Sequence, residues 1–120
     1  MAKYVDGYVI PIAKKHLAAY KKMATLGRKV WMRHGALDYR ECIGDDLNVG
    51  FGLPFAKLAK TKPSETVVFA YIVYKSKAHR NAVNKKVMKD PELAAMCDPK
   101  KMPFDPMKMA VGGFNTLVGV

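Results

Sequence analysis

The sequence predicts an α+β fold, a four-stranded antiparallel sheet with two helices on one face, from three observations. First, Glu65–Tyr74 reads as a strand apolar on both sides. Val67, Phe69, Tyr71 and Val73 point one way, and Val68, Ala70, Ile72 and Tyr74 the other. Second, the hydrophobic period changes along the chain in the order strand, helix, strand, strand, helix, strand. Third, two helices can cover only one side of such a sheet. The other side is expected to meet a second copy of the same sheet.

The elements follow in order. Tyr4–Ile12 is rich in strand formers, and Pro11 suits its end because proline cannot donate to a ladder. From Ala13 to His34 the spacing becomes helical. Ala13, Leu17, Tyr20, Ala24, Gly27, Trp31 and His34 share one face, with Met23 and Val30 on its flank. Lys14-Lys15, Lys21-Lys22 and Arg28-Lys29 recur on the opposite face, and Gly35 fits the C′ stop. Leu37–Gly44 is a second strand. The stretch Leu47–Pro63 is long for a connection and is expected to bind, cover or swap, with one helical turn at Phe55–Leu58. After the central strand, Ser76 caps a helix running to Lys89. Asp90 and Pro91 open a short helix through Met96. Prolines at 99, 103 and 106 make Asp98–Lys108 irregular. Met109–Val120 is a last strand, with Gly112-Gly113 marking a bulge or close approach.

A chain of 120 residues, half of them hydrophobic, makes one ferredoxin-like domain over residues 1–120 with a core that needs no staples. Cys42 and Cys97 lack paired-ligand spacing and are expected to be reduced thiols of a cytoplasmic protein. The start, Met1–Asp6, lacks an apolar signal run, and no stretch has the length of a membrane span.

The chemistry is less legible. None of His16, His34 and His79 is paired at i, i+4 in the H-E-x-x-H manner, so no metal is expected, and no sequence feature calls for a cofactor. Gly50-Phe51-Gly52 lacks the rest of a dinucleotide fingerprint. Ser64 and Ser76, the only serines, do not sit in a nucleophile elbow. What remains is a pocket constellation. His79 falls in the apolar arc of the second helix, and His34 ends that of the first. These are the candidate acid–base pair. Arg80 is a candidate anion clamp, Tyr71 and Trp31 candidate pocket walls, and Asp6 and Glu41 acids on strands that need a reason to be buried.

The net charge of +11 raises the rival of a nucleic-acid-associated protein using the basic face of the first helix. The sequence disfavours it, because no aromatics interleave with those charges and the central strand has no basic or glycine element. A structural or partner-binding dimer without turnover is the third reading.

Several stretches carry a family resemblance: Tyr4–Pro11, Trp31–Leu37, Val68–Tyr74 running into Ser76–Asn81, Met102–Asp105 and Gly112–Phe114. With these the chain resembles the small bacterial YbaA-like proteins, also called domain of unknown function 1428. The resemblance implies a ferredoxin-like dimeric α+β barrel, whose wider superfamily includes cofactor-independent oxygenases and isomerases. It also implies an acid after the His79–Arg80 pair, where this chain has Asn81. The expectation is a homodimer with a pocket between sheet and helices for a small anionic or aromatic, quinone-like ligand, rimmed by Leu47–Pro63 and Asp98–Lys108.

Overall fold

Ten residues of β-branched and aromatic character, Tyr4–Ala13, form the first strand (β1) of a computed structural model that describes residues 3–96 and 98–119. Expectations touching Met1, Ala2, Cys97 and Val120 lie outside these residues. A 3₁₀ turn at Lys14–His16 leads into α1 (Leu17–Arg33). Strand β2 (Asp38–Ile43), the single turn α2 (Phe55–Leu58), β3 (Glu65–Tyr74), α3 (Lys77–Met88), α4 (Pro91–Met96) and β4 (Ala110–Asn115) follow. The sheet is antiparallel with order β2-β3-β1-β4, as the split βαβ pattern predicts.

The expected stops and starts recur. Gly35 ends α1 at φ +111°. Ser76 Oγ accepts the His79 backbone N–H at 3.1 Å, and Asp90 Oδ1 accepts that of Glu92 at 2.9 Å. Pro11 lies inside β1 rather than at its end, and the ladder explains why. Lys14 N–H donates to Ser64 O, so even-numbered residues of β1 bond β3 and odd-numbered ones face β4. β4 ends at Ala110, opposite Val9. The missing N–H of Pro11 therefore points where no strand remains.

Alternation assigns the faces. Tyr4, Asp6, Tyr8, Ile10 and Ile12 of β1 and Val68, Ala70, Ile72 and Tyr74 of β3 look toward the helices. Two apolar clusters sit there. One packs Val30, Val83 and Val87 on Ile72 and Tyr74; the other packs Tyr20 and Ala24 on Ile10, Val68 and Ala70. Full burial of one such valine contributes about 1.5–3 kcal/mol. Val30 is fully buried rather than flanking, because α1 crosses α3 there as well as the sheet. Tyr8 touches both clusters, and the space between them is not filled.

The opposite face is only partly bare. The chain's own segment after β2 folds back over it: Phe55 packs edge-on against Phe69 with ring centroids 6.1 Å apart, and Val67 is only 2 % exposed. Gly44 suits this crossing, since a Cβ there would stand 2.7 Å from Leu47 Cδ1 and shift that side chain. Segment 47–63 thus covers the far side of the sheet, and the expectation that it rims the helix-side pocket is corrected. Beyond it, Phe69 is 45 % and Phe114 61 % exposed. β4 is shorter than Met109–Val120, and Leu117 and Val118 project free of it. The Gly112-Gly113 pair keeps regular register. Gly113 allows a close approach by the Tyr4 hydroxyl, which a Cβ would displace.

Candidate functional site

The unfilled space between the clusters is a cavity of about 310 Å³. β1 supplies Tyr8 and Ile10, α1 supplies Tyr20, Met23 and Trp31, and β2 supplies Tyr39 and Glu41. Met88, Leu93, Phe104 and Met109 close it from the C-terminal third, so Asp98–Lys108 does help to rim it. The wall is largely apolar and includes five aromatic rings and three thioethers, which suit a flat, polarisable ligand.

Polar groups in this wall are few and placed. Tyr20 Oη donates to Glu41 Oε1 at 2.5 Å, and Tyr39 Oη to Glu41 Oε2 at 2.7 Å. Both phenols are pushed far above their ordinary pKa, first by burial and then by the Glu41 carboxylate, so they remain donors. Gly27 makes room for this arrangement, because a Cβ there would lie 2.8 Å from the Tyr39 hydroxyl. Tyr8 stands between two acids. Its pKa rises to about 12, through burial first and then Asp6 and Glu41, with Arg80 opposing. Among the described residues nothing hydrogen-bonds the Tyr8 hydroxyl, which leaves a protonated phenol free for a ligand oxygen.

Behind Tyr8 lies a buried polar cluster. Asp6 is 4 % exposed, and its carboxyl is shifted upward by burial, against the pull of Arg80 and Asn84. Arg80 Nη1 stands 3.8 Å from Asp6 Oδ1, Nη2 donates to Tyr4 Oη at 3.3 Å, and the guanidinium carbon lies 5.0 Å from the Tyr4 ring centroid. Asn84 Oδ1 accepts from Trp31 Nε1 and from Tyr74 Oη, each at 3.2 Å. This cluster fixes the Trp31 ring that walls the cavity.

The structure separates the residues singled out from the sequence. Trp31 and Glu41 line the cavity, and Asp6 adjoins it behind Tyr8. His34 does not enter it: its Nε2 lies 2.7 Å from Asp90 Oδ2, an acid that Arg33 also contacts at 3.1 Å. His34, first among its neighbours, holds the Asp90 carboxyl below the usual range. His79 does not enter either. Its Nδ1 accepts the Lys75 N–H at 3.0 Å, and its ring meets Tyr74 edge-on. Arg80 is engaged by Tyr4 and Asp6, and Tyr71 lies on the opposite face, across from Gly7 and Arg40. Tyr8, Tyr20, Tyr39 and Phe104 were not singled out as site residues. A signal existed for part of this: Tyr39 and Glu41 are two apart on one strand and so share a face. Among the described residues no three His, Cys, Asp or Glu come together as metal ligands.

A four-stranded antiparallel sheet with helices on one face and a cavity beneath them defines a ferredoxin-like α+β protein. The chain belongs to the family described as Protein of unknown function (DUF1428), which matches residues 3–106. It is 36 % identical to the uncharacterized protein YbaA of Escherichia coli strain K12 over 116 residues, 97 % of each chain. Solved structures of the same fold include an uncharacterized NIPSNAP domain protein from Burkholderia xenovorans, with TM-score 0.59 and 15 % identity over 92 % of this chain and 91 % of that one. A putative antibiotic biosynthesis monooxygenase from Nitrosomonas europaea has TM-score 0.58 and 13 % identity over 96 % and 90 %. A dimeric ferredoxin-like protein from an uncultured marine organism has TM-score 0.57 and 12 % identity over 100 % of both chains. Among the described residues no helix is long and apolar enough to cross a membrane.

Proposed function

We propose that this chain is a cytoplasmic homodimer that binds a planar, oxygen-bearing aromatic molecule in the cavity under α1 and acts on it without a cofactor. One observation carries the reading: a largely apolar, aromatic cavity whose polar groups include a free phenol, Tyr8, and a carboxylate held by two phenols, Glu41. Tyr8 donates to a carbonyl oxygen of the ligand. Glu41 accepts a proton from the carbon beside that carbonyl and returns it at a second carbon, an isomerase-type transfer that balances without a co-reactant. With dioxygen as second substrate, the same enolate is the electron-rich species that cofactor-independent oxygenation requires. The acid–base role expected of His34 and His79 passes in this reading to Glu41 and Tyr8, because both histidine rings are engaged outside the cavity.

Dimerisation in this reading uses the open sheet face. Val5, Val73, Phe69 and Tyr71 make it apolar, and Phe114 lies across Gly7 and Gly112. Asp38 and Arg40 both lie on it, so a two-fold partner can set the cation of one copy against the acid of the other. A solved neighbour described as a dimeric ferredoxin-like protein supports a dimer as such. The cytoplasmic address rests on the expectation of reduced thiols, of which Cys42 is a free one.

Titration with 2-naphthol tests the cavity. Trp31 is the only tryptophan, so its indole N–H gives one cross-peak in a ¹H–¹⁵N correlation spectrum, and that peak reports occupancy. It should shift saturably, and Tyr8→Phe should weaken binding about tenfold. An unmoved indole signal up to the solubility limit refutes the reading. Native mass spectrometry of the fresh protein reads the dimer and any retained ligand together.

A further inference from the structure

We infer that the ligand carries an anionic group which stays outside the inner cavity, in the groove between α1 and β2, on Lys21 and Arg28. The inference rests on the reading of the cavity given above and extends it to the class of ligand: an aromatic ring bearing a carboxylate, sulfonate or phosphate on a short arm.

The groove measures about 520 Å³ and is open to solvent along α1. Tyr20, Ala24, Tyr39 and Glu41 line both it and the inner cavity. The partition between the two spaces is therefore a bar of side chains, Tyr20–Glu41–Tyr39, joined by two hydrogen bonds. Ala24 contributes only a methyl group to it. Rotation of the phenols about their side-chain bonds would connect the two spaces without moving backbone.

The two spaces differ in charge. Arg40, the cation on the inner lining, belongs by alternation to the far face of β2, and its Nε is held by Asp38 at 3.1 Å. The inner space therefore presents Glu41 and phenols, which suit a neutral ring. The outer space presents Lys21 and Arg28, seven residues apart and so on one side of α1, with Thr25 between them. Among the described residues neither cation has a carboxylate within 4.0 Å. Glu41 repels an anion at the back of the groove, and the two cations attract one at its rim. An amphipathic anion with its ring inward satisfies both.

The test compares 2-naphthol with 4-(2-naphthyloxy)butanoate, the same ring on an acid arm, each titrated against the Trp31 indole signal. At low salt the acid should bind about tenfold tighter than naphthol. That advantage should shrink as salt rises and vanish in Lys21→Gln/Arg28→Gln, whose exposed side chains can be exchanged without disturbing the core. Equal affinities in the wild type, or an advantage that survives the double substitution, overturn the inference while leaving the cavity reading in place. If neither probe moves the indole signal, the cavity reading itself falls, and this inference falls with it.

Discussion

The two faces of one sheet are both apolar in sequence, yet they meet different neighbours. On the helix side, Val68, Ala70 and Ile72 are sealed beneath α1 and α3, and polar groups are bonded into clusters around Asn84 and Glu41, with the Tyr8 hydroxyl left free between them. On the far side, Phe69 keeps 45 % of its surface in water, and Val49, Phe51, Leu53 and Leu58 of the covering segment are exposed with it. The first face is a finished core with a reserved cavity. The second is only partly covered and leaves large apolar side chains in water.

Substitutions on adjacent residues separate the faces. Val68→Glu places a charge in the helix-side core and should abolish cooperative unfolding, a loss of at least about 4 kcal/mol seen in thermal melts. Phe69→Glu, one residue on, should leave the melt cooperative. It should raise the dimer dissociation constant about a hundredfold or more by light scattering. A folded Val68→Glu, or a Phe69→Glu that is as dimeric as the wild type, would break the contrast between the faces.

Smaller effects sharpen it. Gly27→Ala should gain about 1 kcal/mol of helix propensity but destabilise by about 1–2 kcal/mol net, because the new methyl displaces the Tyr39 hydroxyl from Glu41. In a Tyr39→Phe background the same change should become neutral or stabilising, a double-mutant cycle readable in denaturant. The smallest expected effect is at the His34–Asp90 pair. Asp90 has a lowered folded-state pKa, so its stabilising contribution is complete above the unfolded value of about 3.9 and fades as pH falls through the folded value. Asp90→Asn should therefore melt a few degrees lower at neutral pH, and the two curves should converge in acid.

The backbone plan was legible from local rules. Ser76, Asp90 and Gly35 each announce a helix boundary by an intrinsic preference, and the structure places each where that preference predicts. The site was legible only in part. Glu41 and Trp31 stood out as an acid on a strand and a lone indole. Nothing local says that Glu41 meets Tyr20, which lies 21 residues away. His34 and His79 fell on apolar arcs, and the helical period led to them. Yet an arc says which way a side chain leaves the helix, not what it meets: Asp90 arrives from 56 residues on, and the Lys75 N–H is offered by the turn before α3. Segment 47–63 was visible as a covering loop, but its choice of face depends on Phe55 meeting Phe69 across the sheet, a contact that no short window contains.

Periodicity, caps and the two-sided apolar strand of 65–74 by themselves determined the strands, the helices and their order, because each depends on residues within a turn or two of one another. Which phenols surround Glu41, which histidines are taken up elsewhere, and which side of the sheet stays open were decided only by the tertiary structure. Those outcomes depend on pairs far apart in the chain, and only the packed sheet and helices bring such pairs within bonding distance.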